Sequence, residues 1–338
     1  MRQPGRGQDA ARTQPGRGQD APATSPPRAC DAPVTMKILL AGEPEAAGWA
    51  RWRALLAAAL PEAAWYTRAE LAAAGVAPAD IVAAVVASPP PGSLQGLPNL
   101  RLVQSLWAGV DRLLADPTLP PRVPLARMVD PAMSAAMAET ALWAVLALHR
   151  GFFAYQQRQR EGLWQAHAQR RADEVRVLVL GLGAMGLAVR QRLEPLGYRV
   201  QGWRRDGRPL APLLSASEIV VNLLPLTPAT RGLLDARFFA ALPSGASIVN
   251  LARGAHVVDA DLLAALDAGH LRHAVLDVFH EEPLPAGHAF WRHPQVTMLP
   301  HAAALTDPRS AAAVAAANLR ALRDGTPLAH LVDRARAY

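Results

Sequence analysis

From Met36 onward the sequence predicts an α/β chain of two doubly wound parallel-sheet domains. Three observations carry that expectation. The chain has 338 residues, more than one ordinary core accommodates. Short runs of valine, isoleucine and leucine alternate with longer alanine- and arginine-rich segments, the pattern of buried parallel strands covered by helices. One such run, Val175 to Leu180, opens directly into Gly181-Leu182-Gly183-Ala184-Met185-Gly186, a turn that leads a strand into a helix.

Residues 1–35 stand outside that pattern. The octapeptide from Gln3 to Ala10 recurs from Gln14 to Ala21, and proline, glycine, arginine and glutamine dominate the segment. Such a stretch buries too little apolar surface to offset the entropy of ordering it, so a disordered extension is expected. It also lacks the apolar region of a secretory signal.

The elements then follow in order. Lys37 to Ala41 reads as a strand, and Gly48 to Leu60 as a helix stopped by Pro61. Ile81 to Ala87 is a second strand, ending at the loop Ser88-Pro89-Pro90-Pro91-Gly92. Leu102 to Leu106 is a third, opening into Trp107-Ala108-Gly109-Val110-Asp111. Ser134 to about Gln157 contains few breakers and is expected to be one long helix passing from the first domain to the second. The second domain starts with the strand Val175–Leu180, the helix Ala184–Leu196 and the strand Tyr198–Trp203. Further strands are Ile219–Leu223, Ser247–Leu251, Ala274–Asp277 and Val296–Met298. Asp259 is expected to cap a helix that ends at Gly269. A last helix runs from about Pro308 to Arg323.

Composition excludes several function classes. Lys37 is the only lysine among the 35 basic residues. The arginines are scattered through amphipathic segments rather than gathered in a stripe, so nucleic-acid binding is not expected despite a pI near 10.5. Apolar residues make up 51% of the chain and mean hydropathy is +0.07, with no uninterrupted apolar run of about 18 residues. A soluble, cytoplasmic protein without a membrane partner is therefore expected. A single cysteine, Cys30, rules out an intramolecular disulfide framework. There is no Gly-x-Ser-x-Gly elbow and no His/Cys/Asp cluster at metal-ligand spacing, so neither a serine hydrolase nor a metal centre is expected.

The chemistry-bearing segments come late. After an apolar strand, Gly181-x-Gly183-x-x-Gly186 reads as a dinucleotide turn. Its first glycine permits the turn, the second admits a pyrophosphate, and the third lets helix meet strand. The helix that follows offers free N–H groups to phosphate. At the end of the next strand, where an acidic residue normally meets the adenosine 2′-OH, stand Trp203-Arg204-Arg205-Asp206. Arg204 and Arg205 suit a 2′-phosphate, which favours NADPH, with NAD as the alternative if Asp206 reaches the ribose. Downstream lie Asn250-Leu251-Ala252-Arg253-Gly254, Leu276-Asp277-Val278-Phe279-His280-Glu281-Glu282-Pro283 and Leu299-Pro300-His301-Ala302-Ala303. A dinucleotide site followed by a cation, a carboxylate and an imidazole is what hydride transfer to a 2-keto acid needs.

The order and spacing of these segments, over about Met36 to Tyr338, resemble the D-isomer-specific 2-hydroxyacid dehydrogenases and, within them, the glyoxylate/hydroxypyruvate reductase A branch. The resemblance implies a Rossmann nucleotide-binding domain (141–304) inserted into a flavodoxin-like substrate domain (36–140 and 305–338), with the cleft between them. It also implies a homodimer and a small 2-keto acid as substrate. Arg253 would pair with the substrate carboxylate and polarise the keto oxygen. His301 would give that oxygen a proton, and Glu282, immediately before proline, would hold the far imidazole nitrogen; Glu281 is its competitor for that role. The backbone of Ala108, Gly109 and Val110 would cradle the carboxylate. Ala252 and Asp277 match positions near the nicotinamide and its ribose, and Leu224-Pro225 matches the loop over the cofactor. Trp164 matches a tryptophan that reaches toward the partner subunit, ordinary packing being the other reading.

Two departures from the branch stand out. The stretch between Trp203 and Asn222 is short by about a dozen residues, enough to lack an outer strand and part of the adenosine rim. Ser88-Pro89-Pro90 stands where related chains often have an aromatic residue and a histidine. Two other functions stay open on sequence: a catalytically weak, dinucleotide-sensing binding protein, and an oxidoreductase of the same superfamily acting on formate or phosphite.

Overall fold

The structure is a computed structural model that describes residues 35–44 and 48–338. The N-terminal extension as far as Val34, Cys30 included, lies outside the described residues.

The first lobe consists of β1 (Met36–Gly42), α1 (Ala50–Ala59), β2 (Ala63–Thr67), α2 (Arg68–Ala73), β3 (Ile81–Ala87), β4 (Leu102–Ser105), α3 (Asp111–Leu114) and β5 (Leu125–Ala126). Its five strands are parallel in the order β2-β1-β3-β4-β5. Two crossover helices follow, α4 (Pro131–Arg150) and α5 (Phe152–Arg160). The second lobe then continues with β6 (Arg176–Leu180), α6 (Ala184–Leu193), β7 (Arg199–Trp203), α7 (Ala211–Ser215), β8 (Ile219–Asn222), α8 (Ala236–Ala240), β9 (Ala246–Asn250), α9 (Asp259–Asp267), β10 (Leu271–Leu276) and β11 (Val296–Met298). These six strands are also parallel, in the order β11-β10-β9-β8-β6-β7.

The last helix, α10 (Pro308–Asp324), returns to the first lobe. Its Ala311, Ala315, Leu319 and Leu322 share a core with Trp52 and Leu56 of α1 and with Ile38 and Leu40 of β1. The nucleotide-type sheet is thus inserted into the chain of the other lobe. Its order departs from the 3-2-1-4-5-6 Rossmann arrangement at one edge. β7 is the edge strand, and only α7 occupies the chain between it and β8. The short stretch after Trp203 accounts for the lost outer strand.

Local chemistry sets the element ends. Asp130 accepts the Ala132 N–H at 3.0 Å and Pro131 opens α4, a side-chain cap with a ready-made φ at the first turn. The single long helix expected over Ser134–Gln157 is instead two helices. Gly151 takes the left-handed cap conformation between them, with φ +69°, and a Cβ there would lie 2.4 Å from Cε1 of His167. α4 has the length and apolar composition of a membrane span, with mean hydropathy 1.4. Here its Met137, Ala141, Val145 and Leu148 pack with Val177, Val179 and Val189 of the second lobe. A further difference concerns Asp259, which is the first residue of α9 rather than its cap; Val258 holds the cap position without a side-chain bond. The Asp259 carboxylate faces His280 at 3.5 Å and His288 at 3.4 Å instead. The helix expected to reach Leu196 ends at Leu193 and finishes in one tighter turn.

Candidate active site

The glycine turn lies where the second sheet changes direction, between β6 and β8. Gly181 has φ +93°, and a Cβ on it would stand 2.6 Å from the Leu223 carbonyl oxygen. A Cβ on Gly186 would be 1.8 Å from the Gly181 carbonyl oxygen, so α6 can lie this close only without a side chain there. Gly183, at the N-cap of α6, has nothing within 4 Å of the corresponding position. A tight turn, an open glycine and the free first-turn N–H groups of a ten-residue helix fit a dinucleotide pyrophosphate. Met185, in that first turn, packs against the cores of both lobes, which puts the turn at their junction.

Arg253 leaves β9 through a turn built by two buried asparagines. Asn222 donates from Nδ2 to Asn250 Oδ1 at 3.0 Å, and Asn250 donates in turn to the Arg253 carbonyl at 3.0 Å. A Cβ on Gly254 would collide with the Phe279 backbone at 1.9 Å, which explains a glycine after the arginine. The guanidinium reaches the other lobe: Nε donates to Asp111 Oδ1 at 3.1 Å and Nη1 to the Ala252 carbonyl at 2.7 Å. Nη2 lies over Gly109, where a Cβ would be only 1.3 Å away. The Trp107–Val110 loop is held by Ser105, whose Oγ accepts the Trp107 N–H at 3.0 Å and donates to the Trp107 carbonyl at 3.1 Å.

His301 takes φ +53°, a region that non-glycine residues visit seldom. Its N–H donates to the Asp277 carbonyl at 2.8 Å. Asp277 Oδ1 accepts the N–H groups of Ala302 at 2.7 Å and Ala303 at 3.0 Å. Burial raises the Asp277 carboxyl above its ordinary range, opposed by those two N–H bonds. The His301 ring donates through Nδ1 to Glu282 Oε2 at 2.7 Å, and Glu282 Oε1 accepts the Phe279 N–H at 2.9 Å. Glu282, not Glu281, is thus the carboxylate on the imidazole. Phe279 also backs Gly254, so one short loop links the arginine turn to the glutamate–histidine pair.

At the end of β7 a cleft of about 450 Å³ is lined by Leu182, Gly202, Arg190, Arg204, Asp206 and Arg208, among others. Arg204 Nε donates to Asp206 Oδ2 at 3.1 Å, and the Arg208 N–H donates to Asp206 Oδ1 at 3.2 Å. The Arg204 bond, then the Arg208 N–H, hold this carboxyl below its usual range. Arg205 is exposed and does not line the cleft. Leu224 and Pro225 run beside Gly181; Thr230 Oγ1 and the buried His256 ring meet the Pro225 carbonyl at 2.7 and 3.3 Å.

Sequence reasoning missed five contributors here: Asp111, Asn222, Asn250, Ser105 and Arg208. Asn222 and Asn250 each follow an apolar pair at the end of a buried strand, a signal that a polar side chain is being placed for a local bond. Asp111 carries no such signal, because its partner lies 142 positions away.

A parallel sheet with a phosphate-sized glycine turn at its switch point, joined to a second parallel sheet by shared helices, defines a class, the two-lobed dehydrogenases. Comparison with known proteins narrows it. The sequence profile described as D-isomer specific 2-hydroxyacid dehydrogenase, NAD binding domain, matches residues 142–303. A glyoxylate/hydroxypyruvate reductase A of Serratia proteamaculans is 41% identical over 278 residues, covering 77% of this chain and 88% of that protein. Among solved structures, a D-isomer specific 2-hydroxyacid dehydrogenase from Xanthobacter autotrophicus in complex with NADPH and MES aligns with TM-score 0.84 and 39% identity, over 90% of this chain and 100% of its own. An NADPH-dependent glyoxylate/hydroxypyruvate reductase from Sinorhizobium meliloti, in complex with NADP and sulfate, aligns with TM-score 0.82 and 32% identity, over 90% and 100%. The chain belongs to the D-isomer specific 2-hydroxyacid dehydrogenase family.

Proposed function

We propose that this protein reduces a small 2-keto acid of the glyoxylate or hydroxypyruvate type to its 2-hydroxy acid, using NADPH in preference to NADH. The observation that carries the reading is the 2.7 Å hydrogen bond between Glu282 and His301, made on a loop packed against the Arg253 turn. The names and bound cofactors of the relatives above support the same substrate class and coenzyme. The Glu282–His301 pair also favours turnover over a purely dinucleotide-sensing role.

In this reading residues 36–140 and 305–338 form the substrate domain and 141–304 the dinucleotide domain. Gly181, Gly183, Ala184, Met185 and Gly186 hold the pyrophosphate, and Arg204 and Arg208, which line the cleft, supply charge for a 2′-phosphate, Arg205 adding only longer-range charge from outside the lining. Leu224, Pro225, Ala252 and Asp277 border the nicotinamide half. When bound, the reduced nicotinamide supplies hydride. Arg253 orients the substrate carboxylate together with the N–H groups of Ala108, Gly109 and Val110, which limits the geometries the keto acid can adopt. His301 gives a proton to the keto oxygen from Nε2. Glu282 binds Nδ1, fixing the tautomer and the orientation of the ring. No residue in this scheme requires a metal.

The protein acts in the cytoplasm as a homodimer. Trp143, Phe152, Leu163 and Trp164 are exposed at 42, 55, 54 and 105%, an apolar group that a partner subunit would cover. Sedimentation of the wild type and of Trp164→Ala tests this; a monomer at micromolar concentration contradicts it.

Steady-state reduction of glyoxylate, hydroxypyruvate and pyruvate with each reduced cofactor tests the function. The highest kcat/KM is expected for glyoxylate or hydroxypyruvate with NADPH. Tight NADPH binding without turnover of any 2-keto acid would overturn the proposal.

A further inference from the structure

We propose that Asp111 is a positioning residue for Arg253, and that it sets how tightly the site holds a carboxylate substrate. The inference rests on the reading of Arg253 as the carboxylate-binding group. Its basis is the way the guanidinium is held. Of the three nitrogens, Nε is taken by Asp111 Oδ1 at 3.1 Å and Nη1 by the Ala252 carbonyl at 2.7 Å. Nη2 is the one laid over Gly109, in the middle of the Ala108–Val110 loop. The two bonds come from different lobes, and together they fix the plane of a side chain that otherwise rotates about a long flexible stem.

Gly109 provides a second, independent observation. A Cβ at that position would stand 1.3 Å from Nη2 and 2.6 Å from Cζ, and 3.2 Å from Asp111 Oδ1. The loop is therefore shaped to receive the guanidinium and its carboxylate partner together. The side chains of Arg253 and Asp111 are 30 and 28% exposed, so water screens the pair only in part. Asp111 has no other side-chain hydrogen bond among the described residues, and no second basic group forms an ion pair with it.

An anion beside a carboxylate-binding arginine acts in two opposed ways. It repels an incoming carboxylate, and it holds the arginine where that carboxylate can meet a fixed donor. The second effect dominates here, because Asp111 engages Nε and leaves Nη2 over Gly109. The alternative, in which Asp111 merely occupies Arg253 until substrate displaces it, predicts the opposite result on removal of the charge.

The test uses oxalate, a dicarboxylate that cannot be reduced, titrated calorimetrically into the NADPH-loaded full chain. Asp111→Asn is expected to weaken oxalate binding by about ten- to a hundred-fold, the loss of one charge-assisted bond, and to raise KM for glyoxylate similarly, with the NADPH Kd unchanged. Asp111→Glu should recover part of the loss. In an Arg253→Ala background Asp111→Asn should have no further effect, since its action runs through the arginine. Gly109→Ala, with Asp111 intact, should reproduce the weakened oxalate binding and guards against a misfolded Asp111 variant. Oxalate binding that is unchanged or tighter in Asp111→Asn, or an equal loss with and without Arg253, overturns the proposal. A wild type that binds oxalate in this pattern yet reduces no keto acid refutes the function and leaves the positioning role standing.

Discussion

Glu282 holds His301 by Nδ1 at 2.7 Å while its other oxygen accepts the Phe279 N–H at 2.9 Å. The carboxylate is therefore anchored on the imidazole side and on the backbone side at once. Nε2 of His301 bonds to no group among the described residues, so it is the nitrogen available to a substrate oxygen. Replacing Glu282 by Gln keeps the shape and removes the charge. We expect kcat for glyoxylate to fall about ten- to a hundred-fold, with NADPH affinity unchanged by fluorescence titration. An unaltered kcat removes Glu282 from the mechanism.

Coenzyme choice turns on the Arg204–Asp206–Arg208 loop. Asp206 occupies Arg204 Nε and the Arg208 N–H, donors that a 2′-phosphate would otherwise use. Asp206→Ser should lower the KM for NADPH several-fold and leave that for NADH near its wild-type value. The triple change Arg204→Ala/Arg205→Ala/Arg208→Ala should weaken NADPH about ten- to a hundred-fold. If Asp206→Ser instead impairs NADH alone, the carboxylate serves a ribose hydroxyl and the preference is reversed.

Gly186 is the tightest point of the glycine turn. Alanine there brings Cβ to 1.8 Å from the Gly181 carbonyl oxygen, a backbone atom that cannot swing away. A loss of about 1–3 kcal/mol is expected from the forced shift, read as a lower urea midpoint. NADPH binding should weaken with it. Wild-type stability and NADPH affinity in Gly186→Ala would mean that α6 is not held this close.

His273 makes stability depend on pH. It is buried, stacks on Phe153 at 4.3 Å and bonds Thr297 Oγ1 at 2.9 Å. Desolvation, followed by the charges of Arg272 and His293, pushes its pKa down to about 4. The unfolded chain takes up this proton near pH 6.5, whereas the folded chain does so only near 4. Stability is thus fully present above pH 6.5 and falls as pH drops toward 4, by at most roughly 3 kcal/mol. His273→Phe should flatten urea midpoints over that interval. The same slope in the variant would assign the effect to other groups.

Much of this architecture was legible because it is local. An apolar strand running into Gly181-x-Gly183-x-x-Gly186 carries its own explanation, and the β3 bounds Ile81–Ala87 match the apolar run residue for residue. β2 and β5 were not foreseen: one is a short strand only partly buried, the other has two residues. The break at Gly151 was hidden because a helix interior tolerates a single glycine; here Gly151 takes the left-handed cap conformation that ends α4. The pairing of Glu282 with His301 could be anticipated from the glutamate that precedes proline. The Asp111–Arg253 bond could not, since only the joining of two lobes brings the residues together.

The most direct test of the central claim is a single-turnover experiment. Protein loaded with one equivalent of NADPH is mixed rapidly with saturating glyoxylate, and loss of reduced-nicotinamide absorbance is followed for wild type and His301→Ala. The account predicts one fast exponential for wild type and a rate at least about a hundred-fold lower for the variant, the usual contribution of a positioned acid, at equal NADPH occupancy. Equal rates in the two proteins, or no oxidation of bound NADPH by wild type, would contradict it.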